Sequence, residues 1–180
     1  MKMKILFLLF VLSMGAIGTP AQATPINNTM ADKFYLNCVA GGQQEGTMSQ
    51  PDIEKYCACT SNNMQRVVSV KELGAIGKDT PEGRAILNKV IVQVNAPCSE
   101  FPISAMVQKE CIAKGNSQRI CGCLSVGVGK FLSQKSENWL GEILTKNPNT
   151  ANPMAPIYEN PEFIQAQQQI GMSCAMQSGQ

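Results

Sequence analysis

Apolar residues recur at steps of three and four through most of the chain beyond residue 30, and the strict alternation of a half-buried strand is nearly absent. Ala31 to Ala40 predicts a short helix, with Gly41-Gly42 as its C-terminal stop. Ser49-Gln50-Pro51-Asp52 predicts an N-cap with proline in the first turn. Ile53, Cys57, Thr60, Met64 and Val67 follow at helical spacing. A third long helix opens at Thr80-Pro81 and carries Leu87, Ile91, Val94 and Cys98 as one stripe. The second half repeats the scheme. One helix runs to Lys114 and stops at Gly115. The next is capped by Asn116 or Ser117 and has Ile120, Leu124, Val128 and Phe131 in line. The last opens at Asn160-Pro161 and aligns Phe163, Ala166, Ile170 and Cys174. Gly122, Gly127 and Gly129 each cost the middle helix up to about 1 kcal/mol against alanine, unless they serve close helix packing. The proline-rich stretch 146–161 reads as a loop. The fold class expected is therefore all-α.

The first residues have a different pattern. Met1-Lys2-Met3-Lys4 is basic, Ile5 to about Ile17 is apolar, and Ala21-Gln22-Ala23 follows the helix-breaking Gly18-Thr19-Pro20. That order of charge, apolar run and small residues is a secretory signal, expected to span residues 1–23 and to leave 24–180 as a single mature domain. The apolar run falls short of the roughly 20 residues a membrane span needs, and no later run is long enough, so no membrane span is expected after cleavage.

Eight cysteines, an even number in a chain marked for an oxidising compartment, imply four disulfides. They fall into two sets of the same order: Cys38, Cys57-Ala58-Cys59, Cys98, then Cys111, Cys121-Gly122-Cys123, Cys174. Other marks recur with them. Thr80-Pro81-Glu82 and Asn160-Pro161-Glu162 each open the segment that the last cysteine closes. Leu73-Gly74-Ala75-Ile76 and Leu140-Gly141-Glu142-Ile143 each follow a Cys-x-Cys. The reading is two diverged copies, 30–98 and 103–174, of a disulfide-stapled three-helix unit packed as one small domain. Residues two apart on a helix lie about 200° apart around its axis, so each Cys-x-Cys must reach two different neighbours. Antiparallel geometry favours Cys38–Cys57 and Cys111–Cys121, leaving Cys59–Cys98 and Cys123–Cys174. An exchange of partners within each set is also compatible with the spacing.

Charge narrows the function classes. The chain has 15 basic and 13 acidic residues, and the excess resides in Lys2 and Lys4. A mature chain balanced in charge lacks the footprint of a nucleic-acid or anionic-membrane binder. Histidine is absent, which removes Ser-His-Asp and Cys-His catalysis and histidine metal sites. Aspartate is confined to Asp32, Asp52 and Asp79, and no spacing points to a carboxylate pair. Gly127-Val128-Gly129-Lys130 is not a phosphate loop, because Leu124 and Phe131 stand where that motif needs glycine and Ser or Thr. No cofactor and no catalytic residue is expected. The function expected is a periplasmic or secreted, non-catalytic interaction module with a protein partner: an inhibitor, immunity factor, accessory subunit or chaperone-like protein. The alternative is a periplasmic Cu(I)-handling or thiol–disulfide redox protein using Cys57, Cys59, Cys121, Cys123, Met172 and Met176, since thiolates and thioethers suit Cu(I). A ligand carrier with an apolar pocket between the units is a third class.

Overall fold

The computed structural model describes residues 24–178, and the segment read as a signal peptide lies outside them. Eight helices follow in chain order among the described residues. They are α1 (Asn28–Glu45), α2 (Gln50–Val67), α3 (Val70–Leu73), α4 (Pro81–Val90, prolonged by a π-type turn Ile91–Asn95 and a 3-10 turn Ala96–Cys98 that are counted with it below), α5 (Glu100–Ala113), α6 (Gln118–Lys146), α7 (Ala155–Tyr158) and α8 (Pro161–Ser178). No strand is present among these residues; Pro25 and Ser69 form an isolated bridge. The all-helical reading therefore holds.

Most starts follow from local chemistry. Ser49, Ser69, Thr80 and Ser117 each accept, through the side-chain oxygen, a backbone N–H of the first turn that has no helical partner. Pro51 and Pro81 occupy first-turn positions, where a missing N–H costs nothing. Gly115 ends α5 at φ 80°, a backbone setting that only glycine adopts freely. The proline-rich 146–161 stretch is a loop that contains one short helix, α7.

Two expectations about the helices need correction. Gly41-Gly42 does not close α1, which continues to Glu45 and stops at Gly46, φ 61°. Gly42 lies where α2 crosses; a Cβ there would stand 2.8 Å from Ile53 Cγ2. The glycine serves close approach, not termination. The α4 stripe is also displaced. Leu87 is 38% exposed, and the buried line is Ile86, Val90, Val94 and Cys98. Residues Ile91–Asn95 form a wide π-type turn just before Pro97, which has no N–H and crowds the carbonyl four residues back. The wider turn keeps steps of four on one face, so the burial pattern slips off the ordinary spacing.

The first half closes around Ile26, Ala31, Met64, Val68, Val90 and Val94. Ser61 Oγ donates to the Ala31 carbonyl at 2.8 Å and ties α2 to α1. The second core joins Val128, Leu132 and Leu140 of α6 to Ile103, Ile157 and Phe163, and takes in Ala96 from the end of α4. The Ser136 hydroxyl donates to the Ala96 carbonyl at 2.9 Å, so the two halves meet through α4 and α6. On α6 the buried line is Cys121, Ser125, Val128, Leu132, Ser136, Leu140 and Leu144. Ile120, Leu124 and Phe131, the expected stripe companions of Val128, are only half-buried beside it.

Gly129 permits the α5–α6 contact. A Cβ there would strike Ser104 Oγ and stand 2.7 Å from the Glu100 carbonyl oxygen. Gly122, on the same helix, has nothing within 4 Å. Gly129→Ala should therefore cost about 1–3 kcal/mol through forced displacement of α5. Gly122→Ala should instead stabilise by up to about 1 kcal/mol through helix propensity. Urea unfolding of the two variants checks this; effects of the same sign would contradict the packing.

Short α3 is clipped to α4 by Glu72. Its carboxylate accepts from Lys89 Nζ at 2.8 Å, and from the Ser69 backbone N–H and hydroxyl, also at 2.8 Å each. The Lys89 hydrogen bond, then the Ser69 N–H, hold the Glu72 pKa at about 2 against an ordinary 4.5. A depressed carboxylate pKa stabilises the fold fully above pH 4.5, and that contribution is lost as pH falls toward 2. With about a third of the Lys89 side chain exposed, solvent limits the effect to about 1 kcal/mol. Unfolding of Glu72→Gln should lose this pH slope between pH 5 and 2 and match the native chain at the acid end.

Candidate functional site

All eight cysteines are bonded: Cys38–Cys57, Cys59–Cys98, Cys111–Cys121 and Cys123–Cys174, with Cα separations of 5.7, 5.9, 5.5 and 5.7 Å. Each Cys-x-Cys sits on a regular helix, α2 or α6, and its sulfurs leave on opposite sides. The first sulfur of each pair reaches the preceding helix, α1 or α5. The second reaches the last helix of its half, α4 or α8. Cys57 and Cys121 are buried, while Cys59 and Cys123 are half-buried. Asn63 steadies one bridge from α2: its Nδ2 donates to the Val94 carbonyl and lies 3.2 Å from Cys98 Sγ. Arg66 in turn donates to Asn63 Oδ1.

A thiolate ligand set requires free sulfur, and in this oxidised form Cys57, Cys59, Cys121 and Cys123 present none. Met172 and Met176 lie on the outer face of α8, 61% and 70% exposed, while Cys174 between them turns inward and is buried. Among the described residues no cluster of His, Cys, Asp or Glu is arranged to hold a metal ion. Two phenols, Tyr56 and Tyr158, have their pKa raised by burial first, and then by Glu45 and Glu110 respectively. Both remain protonated at neutral pH and supply no base.

An open groove of about 420 Å³ lies between the start of α2 and the α5–α6 pair, and so draws on both halves. Its lining is mixed: Phe101, Ala105, Ile112 and Val126 stand among Ser104, Gln108 and Ser125, and Asp52, Lys55, Glu100 and Lys109 bring charge to it. Ile112 is 46% and Val126 47% exposed. The far flank of α5 carries a second hollow of about 390 Å³ with Pro102, Met106 and Ala113. Rim charges are of both signs; Lys55 and Asp52 pair loosely at 3.9 Å, an exposed contact worth little.

The groove follows from the composition of α5. Phe101, Pro102, Ile103, Ala105, Met106, Val107, Ile112 and Ala113 go all the way around the helix, and only Ile103 and Cys111 are buried. A helix apolar on every side normally lies inside a larger body. Here α6 covers one side, through Gly129 and the Ser104 hydroxyl, which donates to the Ser125 carbonyl at 3.0 Å. Sequence reasoning did not single out this surface, although the all-round apolar pattern of 101–113 was available as its signal. Comparison with known protein families, with curated proteins and with solved structures finds no match. Among the described residues no helix is long and apolar enough to cross a membrane.

Proposed function

We propose that the chain is an exported, non-catalytic interaction module, held rigid by four disulfides, that docks a protein partner in the α5 groove. The single observation supporting this is the groove itself: an open hollow that leaves Ile112 and Val126 exposed, beside a helix whose sequence suits burial. Its mixed rim charge favours a protein surface over nucleic acid, which would want a basic face. Inhibitor, immunity factor, accessory subunit and chaperone-like roles all use such a face. The disulfides agree with a periplasmic or secreted location, where they persist. Four cross-links spare the module the ordering cost that a flexible binder meets on association.

The mature domain is further proposed to be two diverged copies of one unit. Supporting this, each half runs long, long, short, long in its helices and radiates two bridges from a Cys-x-Cys on its second helix. One of the shared marks does not correspond. Leu73-Gly74-Ala75-Ile76 ends short α3, whereas Leu140-Gly141-Glu142-Ile143 lies inside α6. The duplication therefore rests on the bridge pattern and helix order.

Affinity capture with the oxidised mature chain, from the extracytoplasmic fraction of its own source, is the experiment for the function. A stoichiometric protein partner identified by mass spectrometry is the expected outcome. Copper bound by reduced Cys-x-Cys pairs, with no protein retained, would replace this reading with the metal-handling one.

A further inference from the structure

We infer that Met172 and Met176 form a site of thioether oxidation by peroxide-class oxidants. With every cysteine in a disulfide, methionine is the remaining oxidisable sulfur of the folded chain. Met172 and Met176 are 61% and 70% exposed, against 40% for Met106 and 5% for Met64. They stand one helical turn apart on the same face of α8. Together with Ala175 and the stem of Gln169 they make a nearly apolar patch. The helix is fixed where they sit. The Cys123–Cys174 bond pins it to α6, and Arg119 Nη2 donates to the Gln177 carbonyl at 2.8 Å. Oxidant therefore meets two presented thioethers on an anchored helix. The sulfur lone pair attacks one peroxide oxygen, an S–O bond forms and the O–O bond breaks. Sulfur loses two electrons, and the departing oxygen leaves as water with the peroxide protons. Each event converts an apolar side chain into a polar sulfoxide. The product is a polarity change on two side chains that belong to neither core and do not line the α5 groove.

The test is hydrogen peroxide added to the folded, disulfide-bonded chain, with sulfoxide located by peptide mass spectrometry over time. Met172 and Met176 should oxidise at least about tenfold faster than Met64, which packs with Val68 and Val94 in the first core. The melting temperature of the doubly oxidised chain should be unchanged. Replacing both with leucine, near-isosteric and compatible with the fold, should abolish the fast phase of peroxide consumption. Equal rates at Met64, a fast phase surviving in the double variant, or unfolding on oxidation of this pair would each overturn the inference.

Discussion

Replacing Cys123 and Cys174 together by alanine is expected to lower the unfolding free energy by about 4 kcal/mol. The bond closes a separation of 51 residues, the longest of the four. Cross-linking acts mainly on the unfolded chain, and the entropy removed grows slowly with the loop closed. The same logic gives about 3 kcal/mol for the Cys111–Cys121 pair, which closes only 10 residues. Alanine at both ends avoids a stray thiol. Without its bond α8 keeps Phe163 in the second core, Ile170 against Gly127 and the Arg119–Gln177 contact, so the helix should dock but unfold more easily. Together four such bonds account for a large share of the 5–15 kcal/mol by which a domain is stable. Urea unfolding of the paired variants, and of the native chain with and without reductant, measures this. Stability in reductant equal to that of the oxidised chain would contradict the role given to the bridges.

Truncating Leu132 to alanine should cost about 2–5 kcal/mol. The side chain is fully buried near the middle of α6, in the core that joins Ala96 from the end of α4 to Ile103, Ile157 and Phe163. Removing it deletes buried methyl groups and leaves a cavity that the surrounding helices, held by their bridges, cannot close. Leu36, 63% exposed on α1, provides the comparison; its alanine variant should stay within about 0.5 kcal/mol of the native chain. A loss below about 1 kcal/mol at Leu132 would mean that α6 does not organise this core.

Much of the fold was legible because its signals are local. Ser49 with Pro51, Thr80 with Pro81 and Ser117 are caps whose chemistry is complete within four residues. The two-residue spacing of Cys57 and Cys59, and of Cys121 and Cys123, forces their bridges to diverge on any regular helix. The parts misread depend on a partner elsewhere in the chain. Gly42 resembles a stop until Ile53 is placed against it. Ser125 and Ser136 resemble surface residues, yet with Gly129, whose packing role the sequence does suggest, they form the close seam of α6 against α5 and α4, which displaces the expected stripe. Leu87 reads as core in the sequence because the π-type turn before Pro97 is invisible to hydropathy steps of three and four. The α5 groove is a further case of this kind. Its residues are apolar in the sequence, but which of them remain uncovered is decided only when α2 and α6 are in position.

Binding of the captured partner to three single variants tests the docking surface most directly. Ile112→Asp and Val126→Asp place a charge in the groove lining at positions exposed enough to leave the fold intact. Leu36→Asp places the same charge on α1, outside the groove. The expected result is a loss of affinity of about tenfold or more for each groove variant, in the range of interface residues that carry binding energy, with Leu36→Asp binding as the native chain does. Equal affinity of all three variants, or loss confined to Leu36→Asp, would contradict a partner seated on α5.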